Sequence, residues 1–344
     1  MGDLTPSCAE SLCQLGRNEV LTFQEAIDSL DEDETPSIVL ANGFSQAWSA
    51  EIFNYQNLLD AADFGDREDV IRPLFTSLGT YDFEIISRQL TAAETILRSY
   101  DPGNGLIGRF IEDRMVLKDA LIAAISNTHP DLPSEISDDQ YAAVRTFLSQ
   151  FKQIFSLNYD LLFYWARNKN DLDPQNYSTD DGFRAGRRWE GYGTGQEVHF
   201  LHGGLHIYDT GLSIKKHVCT EYGDTIIEQV RANLEAGNFP LFVSEPDYQK
   251  KKHRITHNPY LNYCYRELGR LNGSLFIHGH SFDENDKHIF DQIKSSSVNR
   301  IFVSIFGNEH NESNTRTKAN ARAFLEKFDR DVDFYDAESA PVWA

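Results

Sequence analysis

Short apolar runs of β type recur along this chain, and nearly every run ends in a small group of Gly, Asn, Asp, His or Ser residues. The runs predict strands near residues 37–41, 152–157, 198–203, 240–244, 273–278, 300–306 and 332–335. Longer helical or loop segments separate them, which indicates βα units and a parallel sheet. In an open parallel sheet, ligands bind in the crevice outside the carboxyl ends of the strands. The polar residues that follow the strands are therefore the first candidates for a site.

The segment between the first two predicted strands has a helical period instead. Apolar residues recur there at three- and four-residue spacing, in Phe83, Ile85, Ile86 and Leu90 and again in Leu117, Leu121, Ile122 and Ile125. This pattern predicts a helical insertion at about residues 50–150. The surrounding α/β domain is expected to span residues 37–344, after an acidic, solvated lead-in at residues 1–36.

Two polar segments stand out from this pattern. The loop at residues 171–197 carries five glycines and several arginines. Loops of this length inside a compact domain are usually functional or mobile, so we expect a lid over a site. The basic run at residues 250–254 is expected to be a solvated face, with attraction of the pyrophosphate of a bound ligand or of a regulatory nucleotide as the alternative.

The composition limits the function. With 344 residues and 40% hydrophobic content, the chain can build one large α/β core or two modest ones. Lys and Arg number 32 against 53 Asp and Glu, and the formal net charge of −21 disfavours nucleic acid and anionic membranes as partners. No apolar stretch reaches the ~18 residues of a membrane-spanning helix, and residues 1–16 contain no signal-peptide core.

Neither the cysteines nor the histidines have the spacing of a metal site. The cysteines are scattered without CxxC spacing, at Cys8, Cys13, Cys219 and Cys264. Five histidines lack a carboxylate or Cys partner at metal-ligand spacing, namely His199, His206, His217, His257 and His278. We therefore expect reduced thiols, a cytoplasmic location and no metal.

Candidate chemistry begins with the residues after the second and third strands. Asn158-Tyr159-Asp160 follow the second, and His202 follows the third. Asn158 or Asp160 could simply cap the next helix, and a His beside Gly is often structural. Adjacent strands would nevertheless bring the amide and the imidazole to the same crevice. Such a pair is suited to orienting a sugar and moving a proton.

With their neighbours, these residues resemble the sirtuin-like (SIR2-like) NAD-consuming enzymes, and within them a bacterial branch that contains the domain of unknown function DUF4917. The resemblance covers roughly residues 37–310. It lies in five motifs: Ala41-Asn42-Gly43-Phe44-Ser45, Ser156-Leu157-Asn158-Tyr159-Asp160, Leu201-His202-Gly203, Pro240-Leu241-Phe242-Val243-Ser244-Glu245 and Phe276-Ile277-His278-Gly279-His280-Ser281.

The resemblance implies a Rossmann-like sheet that binds NAD and cleaves its nicotinamide–ribose bond. Asn158 would then lie by the nicotinamide ribose, His202 would act as a base on a ribose hydroxyl or attacking water, and Asp160 would lie near the nicotinamide pocket. The implied cofactor contacts are Asn42, Gly43, Phe44 and Ser45 in the first turn, Tyr159 and Gly203, and Gly279, His280 and Ser281 after the fifth strand.

Three departures from sirtuins favour an NAD+ glycohydrolase over a protein deacylase. The chain lacks the paired-cysteine zinc module, has a single Gly in the first turn, and has Tyr159 where sirtuins usually have a small aliphatic residue. The resemblance further implies a regulated enzyme that depletes NAD+ in anti-phage defence. It would act as a homo-oligomer or with a trigger-sensing protein.

Two other functions stay open at this level. The crevice could bind NAD or ADP-ribose without cleaving it, as a nucleotide sensor. Gly279-His280-Ser281-Phe282-Asp283 also partly matches the Gly-x-Ser-x-Gly elbow of serine hydrolases, with Ser281 as nucleophile and His288 or His310 as base. Asp283 stands where that motif has Gly.

Overall fold

A computed structural model of the chain describes residues 20–53, 58–130, 132–191, 194–218, 225–245, 247–327 and 329–344. Its strands are β1 Ser37–Leu40, β2 Gln153–Ser156, β3 Val198–Phe200, β4 Gly203–Asp209, β5 Ile214–Lys216, β6 Pro240–Phe242, β7 Asn272–His278, β8 Ser297–Ile305 and β9 Asp331–Asp336. Its helices are α1 Phe23–Asp28, α2 Asn42–Gln46, α3 Glu68–Leu78, α4 Phe83–Tyr100, α5 Leu106–Asn127, α6 Asp138–Leu148, α7 Leu162–Asn168, α8 Ile226–Glu235, α9 Tyr248–His257, α10 Pro259–Leu268, α11 Lys287–Ser295 and α12 Glu312–Leu325.

The main sheet has six parallel strands in the order β3-β2-β1-β7-β8-β9. Counted along the chain, this is the doubly wound order 3-2-1-4-5-6 of the Rossmann fold, which reverses direction between β1 and β7. Leu40 at the end of β1 pairs with Ser156 on one side and with His278 on the other, so the three carboxyl ends are level. The predicted Rossmann-like parallel sheet is confirmed.

A second, antiparallel sheet differs from the prediction. The runs at 198–203 and 240–244 were both expected in the parallel sheet, but the first run splits after Phe200 and continues as β4, which pairs with β5 and β6. Gly203 makes the turn possible, because it has φ +73° and an added Cβ would lie 2.0 Å from the Leu241 carbonyl oxygen. Three apolar residues in a row do not show which partner strand they pair with.

Five of the described α-helices lie between β1 and β2, namely the short α2 directly after β1 and then α3 to α6. Their buried side chains follow the predicted spacing, with Phe83, Ile86 and Leu90 on α4 and Leu117, Leu121 and Ile125 on α5. Ile85 and Ile122 are half-buried. This helical layer packs its apolar stripe inward and leaves its polar faces to solvent.

The described part of the N-terminal segment is not a solvated lead-in. Helix α1 has a capping box between Thr22 and Glu25, and it buries Phe23 and Ala26. The Phe23 ring packs beside Phe276 of the main sheet, at 5.9 Å between centroids. Residues 1–19, including Cys8 and Cys13, lie outside the described residues, as does Cys219. Cys264 is a free, buried thiol.

The glycine-rich loop is tied down where the structure describes it, in contrast to a mobile lid. Asp181 is buried and lies 2.8 Å from Arg167 Nη1 and 2.5 Å from Lys216 Nζ. The ring of Trp189 packs edge-on against Tyr260 of α10. Buried ion pairs and aromatic packing of this kind hold a loop in one place.

Among the described helices, none has the length and apolar character needed to cross a membrane.

Candidate functional site

The carboxyl ends of β1 and β7 meet where the strand order reverses. The Gly43 N–H donates to the Gly279 carbonyl oxygen at 2.9 Å, and a Cβ added to Gly43 would lie 2.5 Å from Gly279 Cα. Gly279 has φ +78°, and its N–H donates to Ser304 Oγ of β8. Only glycines fit this backbone contact. It places the predicted cofactor residues Gly43 and Gly279 side by side at the switch point, where open α/β sheets bind ligands.

Three predicted site residues form one buried cluster beside this contact. The Asn158 amide donates to the Ala41 carbonyl oxygen at 3.1 Å and to Ser45 Oγ at 2.8 Å. Ser45 Oγ in turn donates to Asp160 Oδ2 at 2.5 Å. These contacts join the ends of β1 and β2 and fix the orientation of the amide. The chain therefore brings together Ser45, Asn158 and Asp160, as expected for residues that leave adjacent parallel strands.

Asp160 serves the fold as well. Its Oδ1 accepts the Leu162 N–H at 2.9 Å and so satisfies a donor at the start of α7, although the N-cap residue of that helix is Leu161. Burial raises the pKa of Asp160 to about 6, although the hydrogen bonds from Ser45 and Leu162 act in the opposite direction. A carboxyl group with this pKa changes protonation just below neutral pH.

A second cluster forms around His202. Its Nε2 lies 3.2 Å from His288 Nε2 and 3.9 Å from Asp286 Oδ1. Asp286 also lies 3.3 Å from His280 Nε2 through Oδ2 and 2.8 Å from Lys251 Nζ through Oδ1. The cluster thus unites the end of β3, the end of β7, the start of α11 and one face of α9. Predicted residues His202 and His280 both belong to it.

Burial and charge determine the protonation states in this second cluster. Burial lowers the pKa of His202 to about 3, although the Asp286 carboxylate opposes this shift. Burial alone would raise the pKa of Asp286, but the hydrogen bond from His280 and the charge of Lys251 hold it well below its usual value. His202 is therefore a neutral imidazole beside a carboxylate that Lys251 neutralises.

His202, Asp286 and His288 are the group of described residues whose ligand-type atoms converge, all within 4.8 Å of one another. Distances alone would allow a metal ion there. Both Asp286 oxygens already receive a donor, however, from Lys251 and from His280. The ammonium group supplies the positive charge that a cation would bring, so we assign no metal to this cluster.

Sequence reasoning missed the part played by Asp286 and His288. Asp286 was not among the predicted site residues, and His288 was considered only as a hydrolase base. The usable signal was that both follow the Gly279-His280-Ser281 strand end within seven residues. Glu245 was also missed as a titratable group: it is buried after β6, and burial together with the nearby Asp82 raises its pKa to about 7.

Four predicted cofactor residues lie elsewhere or have another task. The Phe44 side chain is fully buried against Trp343, whose Nε1 donates to the Phe44 carbonyl oxygen, so Phe44 is a core residue and its ring has no surface for a ligand. Gly203 is buried in β4 and allows that strand to approach β6. Tyr159 is half-buried and packs near Phe242, while Asn42 is exposed and donates to the Phe53 carbonyl oxygen.

The first turn also offers fewer backbone donors than a phosphate site needs. The Gly43 N–H is used by Gly279, and the Phe44 N–H donates to the Ala41 carbonyl oxygen at 2.8 Å. A pyrophosphate would therefore have to meet other donors than these two groups.

The elements of a serine hydrolase are not brought together in the part of the chain that the structure describes. Ser281 is exposed and its Oγ donates to Asp283 Oδ2 at 2.9 Å. His288 faces His202, and His310 lies beside Glu309. Neither imidazole pairs with the serine hydroxyl, and a nucleophile needs its base within hydrogen-bond reach.

The basic run is only partly solvated. Lys251 pairs with Asp286, and Arg254 Nη2 lies 3.1 Å from both Asp82 and Glu84 at the start of α4. Lys250 donates to the Gly79 carbonyl oxygen. These side chains connect α9 to the helical layer and to the second cluster.

Three histidines outside the two clusters, His199, His206 and His278, are buried in the core. His199 stacks on Phe155, and His206 stacks on Tyr164 at 4.0 Å between ring centroids. His278 Nδ1 lies 2.8 Å from the Tyr335 hydroxyl.

Comparisons with known proteins identify one matching family and several similar solved structures. The profile of the family described as "Domain of unknown function (DUF4917)" matches residues 38–343. Among solved structures, the chain is similar to a Sir2 homolog in complex with NAD (12% identity, 95% of this chain and 94% of that chain covered, TM-score 0.37). It is also similar to a sirtuin solved to explain substrate affinity (12%, 94% and 96%, 0.36). A third is a mutant Sir2 homologue bound to ADP-ribose (12%, 88% and 96%, 0.33). No curated protein matches the chain.

Proposed function

This chain belongs to the DUF4917 family, and we propose that it is an NAD+ glycohydrolase that releases nicotinamide and ADP-ribose. The observation that supports the proposal most is that an oriented amide and a neutral buried imidazole leave the carboxyl ends of two adjacent strands, next to the switch point of a Rossmann-ordered sheet. Asn158 supplies the amide from the end of β2, and His202 supplies the imidazole from the end of β3.

The proposed chemistry needs little more than these two groups. The pyridinium of NAD+ is cationic and leaves as neutral nicotinamide, so the enzyme has to stabilise an oxocarbenium-like ribose and position water. Both N–H groups of the Asn158 amide are used within the protein, so its oxygen is the atom that holds a hydroxyl or water, without adding charge. His202 is neutral and accepts a proton from the ribose hydroxyl or the attacking water. No step requires a metal.

We infer the biological setting from the sequence resemblance alone. Constitutive hydrolysis of NAD+ would harm the cell that makes the enzyme, so the activity is held off until a trigger arrives. We place it in anti-phage defence, acting on NAD+ as a homo-oligomer or with a trigger-sensing protein.

The test is NAD+ consumption by the purified full chain, with chromatographic identification of the products, alone and with lysate from phage-infected cells. Asn158→Ala and His202→Ala should each lower nicotinamide release by about 100-fold or more. His257→Ala is the matched control, because this imidazole is exposed on α9. Thermal denaturation checks that each variant stays folded.

The outcomes separate the alternatives. Release of nicotinamide and ADP-ribose by the wild type and by His257→Ala only would support the enzyme and its two groups. NAD+ binding without product in every condition would replace the enzyme by a nucleotide sensor. Labelling of Ser281 by an active-site phosphonate would favour the hydrolase instead.

A further inference from the structure

The contact between His202 and His288 has a direction that the surrounding groups determine. Two neutral imidazoles whose Nε2 atoms lie 3.2 Å apart need one N–H and one lone pair between them. The nitrogen of His288 that lacks a partner decides which ring donates. Nδ1 of His288 is a buried atom without a hydrogen-bond partner among the described residues, and a buried N–H without a partner is tolerated less often than a buried acceptor without one.

His288 is therefore the donor, with its proton on Nε2 and the lone pair of that ring on Nδ1. His202 accepts at Nε2, so as a neutral imidazole it carries its single proton on Nδ1. Leaving a buried acceptor unsatisfied is unfavourable. The chain nevertheless keeps this ring fully buried and parallel to His202, with an interplanar angle of 20°.

The surroundings hold His288 in place and exclude other partners for His202. The Tyr265 hydroxyl donates to the His288 carbonyl oxygen at 2.9 Å. The charged and titratable groups facing the pair are Asp286 at the start of α11, Lys251 and Lys252 on α9, and His280 after β7. The carboxylate is already engaged by Lys251 and His280. The Nε2–H of His288 is thus the donor directed at the lone pair of His202.

We propose that His288 is a positioning residue, which donates its Nε2–H to His202 and keeps that ring in the Nδ1–H tautomer with its Nε2 ready to accept a proton. The inference rests on the proposed function, because this tautomer matters only if His202 Nε2 accepts a proton in the proposed reaction. When substrate binds, a ribose hydroxyl or water replaces His288 as the donor to Nε2. The proton then passes to His202 Nε2, and the electron pair of the O–H bond stays on the oxygen that attacks or is activated.

The test uses the full chain labelled with ¹⁵N-histidine, in long-range ¹H–¹⁵N spectra without NAD+. The His202 signals are assigned by their loss in His202→Gln. We expect the wild type to show a protonated Nδ1 and a hydrogen-bonded, unprotonated Nε2. His288→Leu removes the donor, whereas His288→Gln keeps an N–H donor and is the matched control.

In His288→Leu we expect the His202 signals to lose the single tautomer and kcat to fall about tenfold or more, with little change in KM. His288→Gln should restore both. A merely structural role for His288 would lower the melting temperature of both variants alike and leave the tautomer of His202 unchanged in each.

Several results would overturn the proposal. A proton on His202 Nε2 in the wild type would reverse the direction of the contact. A joint shift of the His202 and His288 signals on adding one equivalent of Zn²⁺, reversed by EDTA, would make the pair metal ligands. The spectra decide these points whether or not NAD+ is cleaved, so a failure of the proposed function is distinguished from a failure of this inference.

Discussion

Replacing Asp160 by Asn tests the electrostatic reasoning about the first cluster most directly. The carboxyl is buried, with a side chain that accepts from Ser45 and from the Leu162 N–H. Burial raises its pKa from 3.8 to about 6. Between pH 3.8 and about 6, Asp160 is therefore protonated in the folded protein but ionised in the unfolded chain. Stability from this group is full below about pH 3.8 and is lost as the pH rises through 6.

The size of the effect follows from the shift. At about 1.4 kcal/mol per pH unit, the full loss is about 3 kcal/mol, and about 2 kcal/mol of it falls between pH 4.5 and 7.5. Asn cannot ionise, so Asp160→Asn should not show this loss. Its amide cannot accept both hydrogen bonds, which costs about 1 kcal/mol at every pH. The variant should therefore gain about 2 kcal/mol relative to the wild type across this range.

The assay is urea unfolding of both proteins at several pH values, with the difference in unfolding free energy as the readout. The difference is needed because buried histidines act in the opposite sense. Burial lowers the pKa of His129 and His278 to about 4, so stability from these groups is lost as the pH falls below about 6.5. Asp139→Asn is the control for replacing an exposed carboxyl by an amide. A difference that stays constant with pH, or that grows in favour of the wild type, would refute the reasoning.

Two further predictions concern stability. Gly43→Ala places a Cβ 2.5 Å from Gly279 Cα and should cost about 2 kcal/mol in unfolding free energy, whereas Gly103→Ala, with no atom within 4 Å, should change it little; equal effects would contradict the close backbone contact. Asp181→Asn leaves Arg167 and Lys216 with a weaker buried partner and should cost about 3 kcal/mol, against about 0.5 kcal/mol for Asp180→Asn in the half-exposed pair with Arg184. A free, flexible loop at these positions would tolerate both changes equally.

The main sheet could be predicted because each of its strands is recognisable from its own sequence. Strands buried on both faces read as continuous apolar runs, and β1, β2, β7, β8 and β9 all lie within a few residues of their predicted places. The second sheet could not be predicted, since a three-residue run such as 240–242 contains no information about its partner. Helix α1 was missed although Thr22 and Glu25 form a readable capping box.

The site was predictable to the extent that it follows from strand ends. Ser45, Asn158 and Asp160 meet because adjacent parallel strands end at the same edge. His288 reaches His202 only through the packing of α11, a tertiary contact between residues far apart in the chain. Phe44 was assigned to the ligand because it lies inside a motif, yet the ring points into the core. Motif membership does not show which way a side chain points.

Helix α9 gives the helical layer a mechanical connection to the His202 cluster. Lys251 and Arg254 lie one turn apart on it, and they hold Asp286 on one side and the start of α4, through Asp82 and Glu84, on the other. Both ion pairs are largely shielded from solvent. A displacement of α4 would therefore pull on α9 and change the distance between Lys251 and Asp286. Through these ion pairs, α9 links the helical layer to the Asp286 carboxylate, which lies 3.9 Å from the His202 ring.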